Sequence, residues 1–361
     1  IVSDILEKNV STNLDNIIVH QIFKRDENKK LILPQYSDMC GAMNIGYVPK
    51  IRERIVKSMG SESHSIRMEI INIDENSVFN LIQNYWKMSH EEQDFINLSK
   101  RLTYMLAEVQ NNRRYREGVV IFVEGTVQAV DKPFICIIKA EMQDGFSLKK
   151  SDDNLDLSYI DKIFMTKNEK FQKIGLLINN AVKGRTIEAK DVDCYIFDSN
   201  TDTSIAMSKA EYFYKTFLGM DFRKDSDVLT KQFVQTTKEF IQNMPVEDVE
   251  KIELSTALSS YVRERGTQII NPVDFAKANF ENEEVIDSYN KYLSDHSIPL
   301  ESIHKNTNML GNWLKTRSLV FSNKVKVQVP VDEFDDAVEI KKDKKSGETI
   351  VTIKGMMLCE K

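Results

Sequence analysis

Two apolar stretches, Val119-Val-Ile-Phe-Val123 and Phe134-Ile-Cys-Ile-Ile-Lys-Ala140, decide the fold class of this chain. Both are rich in β-branched residues, and Gly125 and the sequence Asp131-Lys132-Pro133 interrupt the pattern between them. Such composition favours strands joined by turns, so with Thr126–Val130 we predict a meander. Further strands are predicted at Tyr159–Met165, Lys173–Ile178 and Val192–Phe197.

Upstream of the meander the sequence has strand character first and helical character later. Ile17–Phe23 is apolar, Lys24–Lys30 is charged, and Leu31–Leu33 is apolar again, which predicts a hairpin. Between Glu75 and Asn111 apolar residues recur at helical spacing, and Ser89 is a candidate N-cap of the second helix.

Downstream of residue 203 helical spacing dominates. Ala206, Ala210, Phe213 and Phe217 share a helical face, and Gly219 suits the residue after that helix. More helices are predicted around Leu229–Phe240, Val249–Arg263, Val273–Phe280 and Glu284–Leu293. The C-terminal stretch returns to strands, at Lys324–Val329 and in a hairpin of Val338–Ile340 with Thr349–Ile353.

This order of elements predicts an α+β fold, because regular βαβ alternation is missing. We expect residues 1–200 to form a domain with a mixed or antiparallel sheet and packed helices. Residues 201–361 are expected to form a helical domain that ends in a β-hairpin region. A length of 361 residues agrees with two domains.

Composition excludes several classes of protein. A net charge of −6, from 49 basic and 55 acidic residues, excludes a histone-like protein that coats nucleic acid by bulk charge. No apolar run reaches the roughly 20 residues of a membrane span. The four cysteines form no Cys-x-x-Cys pair, and the N-terminus shows no signal-peptide pattern, so we expect a reducing cytoplasm.

Motifs for cofactor or metal chemistry are missing from the sequence. It contains no Gly-x-x-x-x-Gly-Lys-Ser/Thr, Gly-x-Gly-x-x-Gly, Gly-x-Ser-x-Gly or His-Glu-x-x-His, and we predict no cofactor, no metal and no catalytic residue. Two acidic groups leave a Mg²⁺-dependent nuclease open as a hypothesis: Asp191 and Asp193 with Asp198 and the adjacent Lys190, and Asp332–Asp336. Solvated strand ends and turns are the simpler interpretation of both.

Three basic clusters are the stronger candidates for a binding site. Arg113, Arg114 and Arg116 surround Tyr115, and arginines beside an aromatic ring can bind phosphates and stack on bases. The other two clusters are Lys24 with Arg25, and Lys183 with Arg185. Solvated charged faces are the common alternative for all three.

Four stretches resemble, in order, a bacterial nucleoid-associated protein family often called NdpA. The chain begins this pattern with Asn16-Ile-Ile-Val-His-Gln-Ile-Phe-Lys-Arg-Asp-Glu-Asn28. The later stretches are Tyr159-Ile-Asp161 with Lys173-Ile-Gly-Leu-Leu-Ile178, then Phe213-Tyr-Lys-Thr-Phe-Leu-Gly219, and finally Thr349-Ile-Val-Thr-Ile-Lys-Gly355. The resemblance implies a cytoplasmic, nucleoid-located protein that binds DNA without a catalytic centre. His20, inside the first stretch, is interpreted as a hydrogen-bonded scaffold residue of the strand, and a DNA or subunit contact is the alternative.

The leading hypothesis is therefore a non-enzymatic DNA-binding homodimer that contacts phosphates at Lys24, Arg25, Arg113, Arg114, Arg116, Lys183 and Arg185. Two alternatives stay open. One is a metal-dependent nuclease or DNA-sensing phage-defence component that uses Asp191, Asp193 and Lys190. The other is an adaptor for a DNA-processing machine, which the aromatic-rich helices Ala210–Phe217 and Phe233–Phe240 would suit.

Overall fold

A computed structural model gives the architecture, and it confirms the α+β class with a large antiparallel sheet in the N-terminal part. The structure describes residues 12–41, 53, 55, 65–88, 91–111, 115–127, 131–151, 154–163, 173–182, 184–198, 210–264, 266–321, 323–330, 333–342, 346 and 348–356. Among their helices, none is both long and apolar enough to cross a membrane.

The main sheet has seven strands in the order β1-β3-β4-β7-β8-β2-β9. Its strands are β1 (Thr12–Ile22), β2 (Ile66–Ile70), β3 (Gly118–Val127), β4 (Lys132–Glu141), β7 (Lys173–Asn179), β8 (Val192–Asp198) and β9 (Met220–Phe222). β5 (Gln143–Ser151) and β6 (Asn154–Ile163) pair with each other in a separate two-stranded sheet. The predicted strand pair on either side of Gly125 is one continuous strand, β3.

The first strand pairs with a segment about a hundred residues away. β1 runs antiparallel to β3, with Ile18 opposite Phe122 and Ile22 opposite Gly118. The predicted hairpin with Leu31–Leu33 is therefore wrong, since those residues form no strand and only an isolated bridge joins Gln21 to Gln35. The apolar β3 offers β1 a ten-residue partner with buried side chains, which the short segment after the charged turn cannot match.

Side chains alternate between the two faces of this sheet, and both faces are buried. Helices α1 (Val78–Trp86) and α2 (Glu92–Val109) pack on the face that carries Phe122 and Ile137. Ser77 caps α1 by accepting a hydrogen bond from the Asn80 amide. The N-cap of α2 is Glu91 rather than the predicted Ser89, which lies outside the described residues.

A π-helix, Tyr212–Phe217, packs on the same face of the sheet, where the sequence predicts an ordinary helix. It ends at Gly219, whose φ of +68° is the left-handed conformation expected of a terminating glycine. A Cβ atom at Gly219 would lie 2.7 Å from the Asn72 Cβ, and the Gly219 carbonyl accepts hydrogen bonds from residues 71 and 72. The left-handed backbone and the close approach of Asn72 therefore explain the glycine of the Phe-Leu-Gly sequence.

The C-terminal part has its own hydrophobic core, formed by helices at the predicted positions. These helices are α3 (Ser226–Asn243), α4 (Asp248–Arg263), α5 (Pro272–Asn279) and α6 (Glu283–Asp295). The short strands β10 (Ile269–Ile270) and β11 (Ile303–His304) pair with each other, and Ser302 bridges to Ile66 of the main sheet. The predicted division of the chain at residue 200 stays a prediction.

Two hairpins follow these helices. β12 (Thr316–Val320) pairs with β13 (Lys326–Pro330), and β14 (Val338–Lys342) pairs with β15 (Thr349–Ile353). A short helix, α7 (Phe334–Ala337), precedes β14. The second hairpin confirms the prediction, whereas β12 was missed because Thr316–Val320 is too short to show a clear alternation.

Candidate nucleic-acid interface

The described members of two predicted basic clusters, Lys24 with Arg25 and Arg116, lie at the same end of the main sheet. β1 ends at Ile22 opposite Gly118, so the chain that leaves β1 at Lys24 runs beside the chain that enters β3 at Arg116. The end of β4 at Glu141 lies next to Gly118 in the ladder. The strand register therefore gathers basic residues that are about ninety positions apart in sequence, and we call this region the basic end of the sheet.

Arg25 lies at the basic end but is held by a helix. Its guanidinium donates to the carbonyl oxygens of Ala107, Glu108 and Gln110, at 3.2, 2.7 and 2.9 Å, where α2 ends. Carbonyls in the last turn of a helix lack intrahelical partners and carry partial negative charge, which a cation stabilises. The neighbouring Lys24 is exposed to solvent.

Arg116 is exposed at the start of β3, with 68% of its side chain accessible, and its Nε lies 3.9 Å from the Glu141 carboxylate. An ion pair this long and this exposed contributes little to stability. The Tyr115 ring lies 4.2 Å from the Tyr212 ring between centroids, which attaches the segment to the π-helix. Arg113 and Arg114 lie outside the described residues.

Two buried lysines that the predicted site does not include lie beneath the basic end. Lys139 and Lys173 are paired residues on β4 and β7, and both Nζ atoms lie within 6.0 Å of the Tyr212 ring centroid. Lys139 donates to the Tyr212 hydroxyl at 3.1 Å and lies 3.7 Å from Glu141, whereas Lys173 pairs with Asp198. A lysine in the apolar run Phe134–Ala140 was the available signal.

The electrostatics of this buried layer are dominated by desolvation. Burial lowers the pKa of Lys139 to about 8, with the nearby charge of Lys173 acting in the same direction and Glu141 opposing it. Burial also raises the pKa of Tyr212 above its usual range. Two buried ammonium groups on paired strands repel each other, so the two acids and the tyrosine are needed to keep the layer stable.

The third basic cluster lies at the opposite end of the sheet. Arg185 is exposed in the loop after β7, and Lys183 lies outside the described residues. β7 runs six residue steps from Lys173 to Asn179, so the two ends are about 20 Å apart. The structure therefore separates Arg185 from Lys24, Arg25 and Arg116.

The acidic residues of the nuclease hypothesis have partners of their own. Asp193 pairs with Arg67 on β2, and Asp191 accepts a hydrogen bond of 2.9 Å from the Glu188 amide. Lys190 pairs with Glu188 at 2.6 Å, and Asp198 lies at the far end of β8. Over the part of the chain that the structure describes, no three His, Cys, Asp or Glu side chains gather where a metal ion could bind.

His20 has the geometry of a scaffold residue. Its side chain is 1% exposed, its Nδ1 accepts from the Ser37 amide at 3.1 Å, and its Nε2 lies 2.9 Å from the Ser99 hydroxyl. Because Nδ1 is an acceptor, the ring is neutral and Nε2 donates to Ser99, whose own hydroxyl donates to the Ile96 carbonyl. Burial lowers the pKa of His20 to about 4 and keeps it neutral.

The aromatic residues that motivated the adaptor hypothesis are mostly in the cores. Phe213 and Phe217 belong to the π-helix, lie in the core beside the main sheet and are 2% and 3% exposed, and Phe233 is fully buried in the C-terminal core. Their ring contacts explain the aromatic spacing of both helices as packing.

Most of this chain matches the model of a known protein family. A family model described as nucleoid-associated protein YejK matches residues 18–357, from the middle of β1 to beyond β15. No curated protein matches the sequence. The family match covers nearly the whole chain and agrees with the resemblance seen in the sequence.

Proposed function

The chain belongs to the nucleoid-associated protein YejK family, and from that premise we propose that it binds duplex DNA in the cytoplasmic nucleoid without catalysing a reaction. One observation supports the location of the contact: the pairing of β1 with β3, which puts Lys24 and Arg116 at one end of the sheet. We propose that Arg113 and Arg114 contact the duplex together with them. Exposed cations gathered on one surface can bind phosphates although the net charge is −6.

In this proposal the basic residues have different tasks. Lys24 and Arg116 are exposed and contact phosphates together with Arg113 and Arg114. Arg25 holds the loop after β1 on the end of α2, and its remaining face contributes charge at the same surface. Tyr115, whose ring contacts the Tyr212 ring, fixes the position of the neighbouring Arg116.

Lys183 and Arg185 are proposed as a second contact region. Because the two ends of the sheet are about 20 Å apart, a duplex that reaches both must extend along the sheet for at least about six base pairs. Substitutions at the two ends should then lower the affinity independently.

We also propose that the protein acts as a homodimer, in which a second copy doubles the number of phosphate contacts. Sedimentation equilibrium at two protein concentrations tests this, and a monomer at micromolar concentration would contradict it.

The experiment for the main proposal is fluorescence anisotropy with a labelled random-sequence duplex at 0.1 and 0.2 M salt. Neutralising Arg113, Arg114 and Arg116 together with glutamine should remove three phosphate contacts. Each contact contributes about 0.9 to the slope of log affinity against log salt, so the slope should fall by about 2.7 and affinity at 0.1 M salt by about 500-fold.

The matched control is the glutamine triple variant of Lys224, Lys231 and Lys291, which removes the same charge from α3, α6 and the turn before α3. It should stay within about threefold of the parent protein. Equal losses in both triple variants would contradict a contact at the basic end. A gel of the same samples with Mg²⁺ should show intact DNA, and cleaved DNA would favour the nuclease hypothesis.

A further inference from the structure

A trough lies along α4 in the C-terminal part of the chain. One cavity of about 1100 Å³ lies between α4, the end of α3 and the two hairpins. A second of about 1110 Å³ lies around the end of α4, and Ser260 and Arg263 line both cavities. The two cavities therefore adjoin each other beside a helix of 16 residues, about 24 Å long, and we call them together the trough.

The described walls of this trough are basic, in contrast to the acidic chain as a whole. Six cations line it: Lys238, Lys251, Arg263, Lys305, Lys315 and Arg317. Three acids line it as well: Asp248, Glu264 and Glu348. Hydroxyl groups of Ser255, Ser259 and Ser260 on α4 add donors of the kind that bind phosphate oxygens. The wall chemistry therefore favours an anion that is extended rather than compact.

Planar groups lie among these cations. The Lys238 Nζ lies 5.8 Å from the centroid of the half-buried Trp313 ring. The Arg317 guanidinium carbon lies 3.8 Å from the centroid of the buried Phe334 ring, so the guanidinium packs on one face of that ring. An indole ring and a ring-supported guanidinium are platforms on which nucleobases stack.

We propose that this trough binds single-stranded nucleic acid, with phosphates on the cations and hydroxyls of α4 and bases against Trp313 and Arg317. An acidic peptide would use the cations but would leave the two stacking platforms without a planar partner, so the observations favour the nucleic acid. The site lies in the helical part of the chain and does not rest on the proposed duplex contact at the basic end.

The first experiment uses the intrinsic fluorescence of Trp313. The chain has two tryptophans, so Trp86→Phe leaves Trp313 as the reporter without changing the trough. Titration of this full-length variant with a 20-nucleotide thymidine strand at 0.1 M salt should quench the emission to saturation, because a stacked base quenches indole. Quenching by a ten-residue glutamate peptide, with none by the strand, would overturn the proposal.

The second experiment measures affinity by anisotropy of the same strand carrying a label. The double variant Lys238→Gln/Lys251→Gln removes two phosphate contacts of the trough, each worth about 0.7 in the salt slope for a single strand, so the affinity at 0.1 M salt should fall about 25-fold. The control Lys224→Gln/Lys291→Gln should change it less than twofold. Equal affinity in the double variant and the parent would overturn the proposal.

A third comparison separates this site from the basic end. The glutamine triple variant of Arg113, Arg114 and Arg116 should retain the quenching of Trp313 by the strand even where its duplex affinity is lost. Loss of the quenching in that variant would overturn a separate site in the trough, whereas unchanged duplex affinity would count against the basic end alone.

Discussion

Replacement of Arg25 by alanine offers a direct test of how the basic end is built. The guanidinium of Arg25 makes three hydrogen bonds to the last carbonyls of α2, and two of them are partly buried. Alanine removes all three bonds between the loop after β1 and that helix end.

The magnitude follows from those contacts. Each partly buried bond contributes about 1 kcal/mol and the exposed one about 0.3 kcal/mol. The favourable placement of a cation at the helix C-terminus adds about 0.5 kcal/mol. Arg25→Ala should therefore lower the free energy of unfolding by about 2 to 3 kcal/mol. Arg25→Lys, which cannot reach three carbonyls with one ammonium group, should recover less than half of this loss.

Urea denaturation followed by Trp86 fluorescence is the assay, in a Trp313→Phe background so that the signal reports on the core around α1 and α2. The control is Lys24→Ala, since Lys24 is the exposed neighbour. It should change stability by less than 0.5 kcal/mol yet weaken duplex binding about eightfold at 0.1 M salt, the loss of one phosphate contact. If Arg25→Ala and Lys24→Ala unfold at the same urea concentration, the capping role of Arg25 is refuted.

Three further predictions concern buried groups and backbone conformation. Because the pKa of His20 is lowered to about 4, the folded protein keeps this ring neutral below pH 6.5 while the unfolded chain takes up a proton. The free energy of unfolding should therefore fall by about 3 kcal/mol as pH falls from 6.5 to 4. In urea melts over that range His20→Asn should lose less stability. The pKa of Lys139 is lowered to about 8, so the buried ammonium loses its proton before the same group in the unfolded chain does. The free energy of unfolding should therefore rise by about 2 kcal/mol between pH 8 and 9.5. A rise of the same size in Lys139→Met would refute Lys139 as the titrating group. Gly219→Ala should cost about 2 kcal/mol or more in thermal unfolding, since both the left-handed backbone and the contact with Asn72 oppose a Cβ. Gly184→Ala, at a φ of +86° with open space around it, should cost about 1 kcal/mol. Equal losses in the two variants would exclude a steric contribution of Asn72.

Local patterns in the sequence predicted local elements well. The strands β4, β7 and β8 and the helices α3 to α6 are short-range structures, and their period and punctuation are visible in the sequence. The partner of β1 was not predictable in this way, because an apolar strand specifies its buried faces but not which distant strand it joins. The same limit explains the wrong hairpin with Leu31–Leu33.

The candidate site was likewise predictable from the sequence only in part. Charge clusters such as Lys24 with Arg25 are visible in the sequence, but the sequence does not tell which cation faces solvent and which is held by helix carbonyls. Lys139 is the opposite case, since its position in an apolar strand marks it as unusual while its partners Tyr212 and Glu141 depend on the fold. The trough depends on two helices and two hairpins that the fold brings together, and no single segment indicates it.

The order in which the main sheet is assembled has a consequence for how the chain is made. β1 can pair only after β3 has been made, and β2 can pair only after β8 and β9 (Met220–Phe222) have been made. The main sheet therefore cannot be completed until more than 220 residues have left the ribosome. At about 5 to 20 residues per second, at least roughly ten seconds pass between the synthesis of the first strand and that of the last. Until β3 has been made, about a hundred residues after β1, the apolar β1 is a strand without a partner and is exposed to association with other chains. Synthesis of this protein should therefore depend on chaperones that bind nascent strands more than its size alone would require.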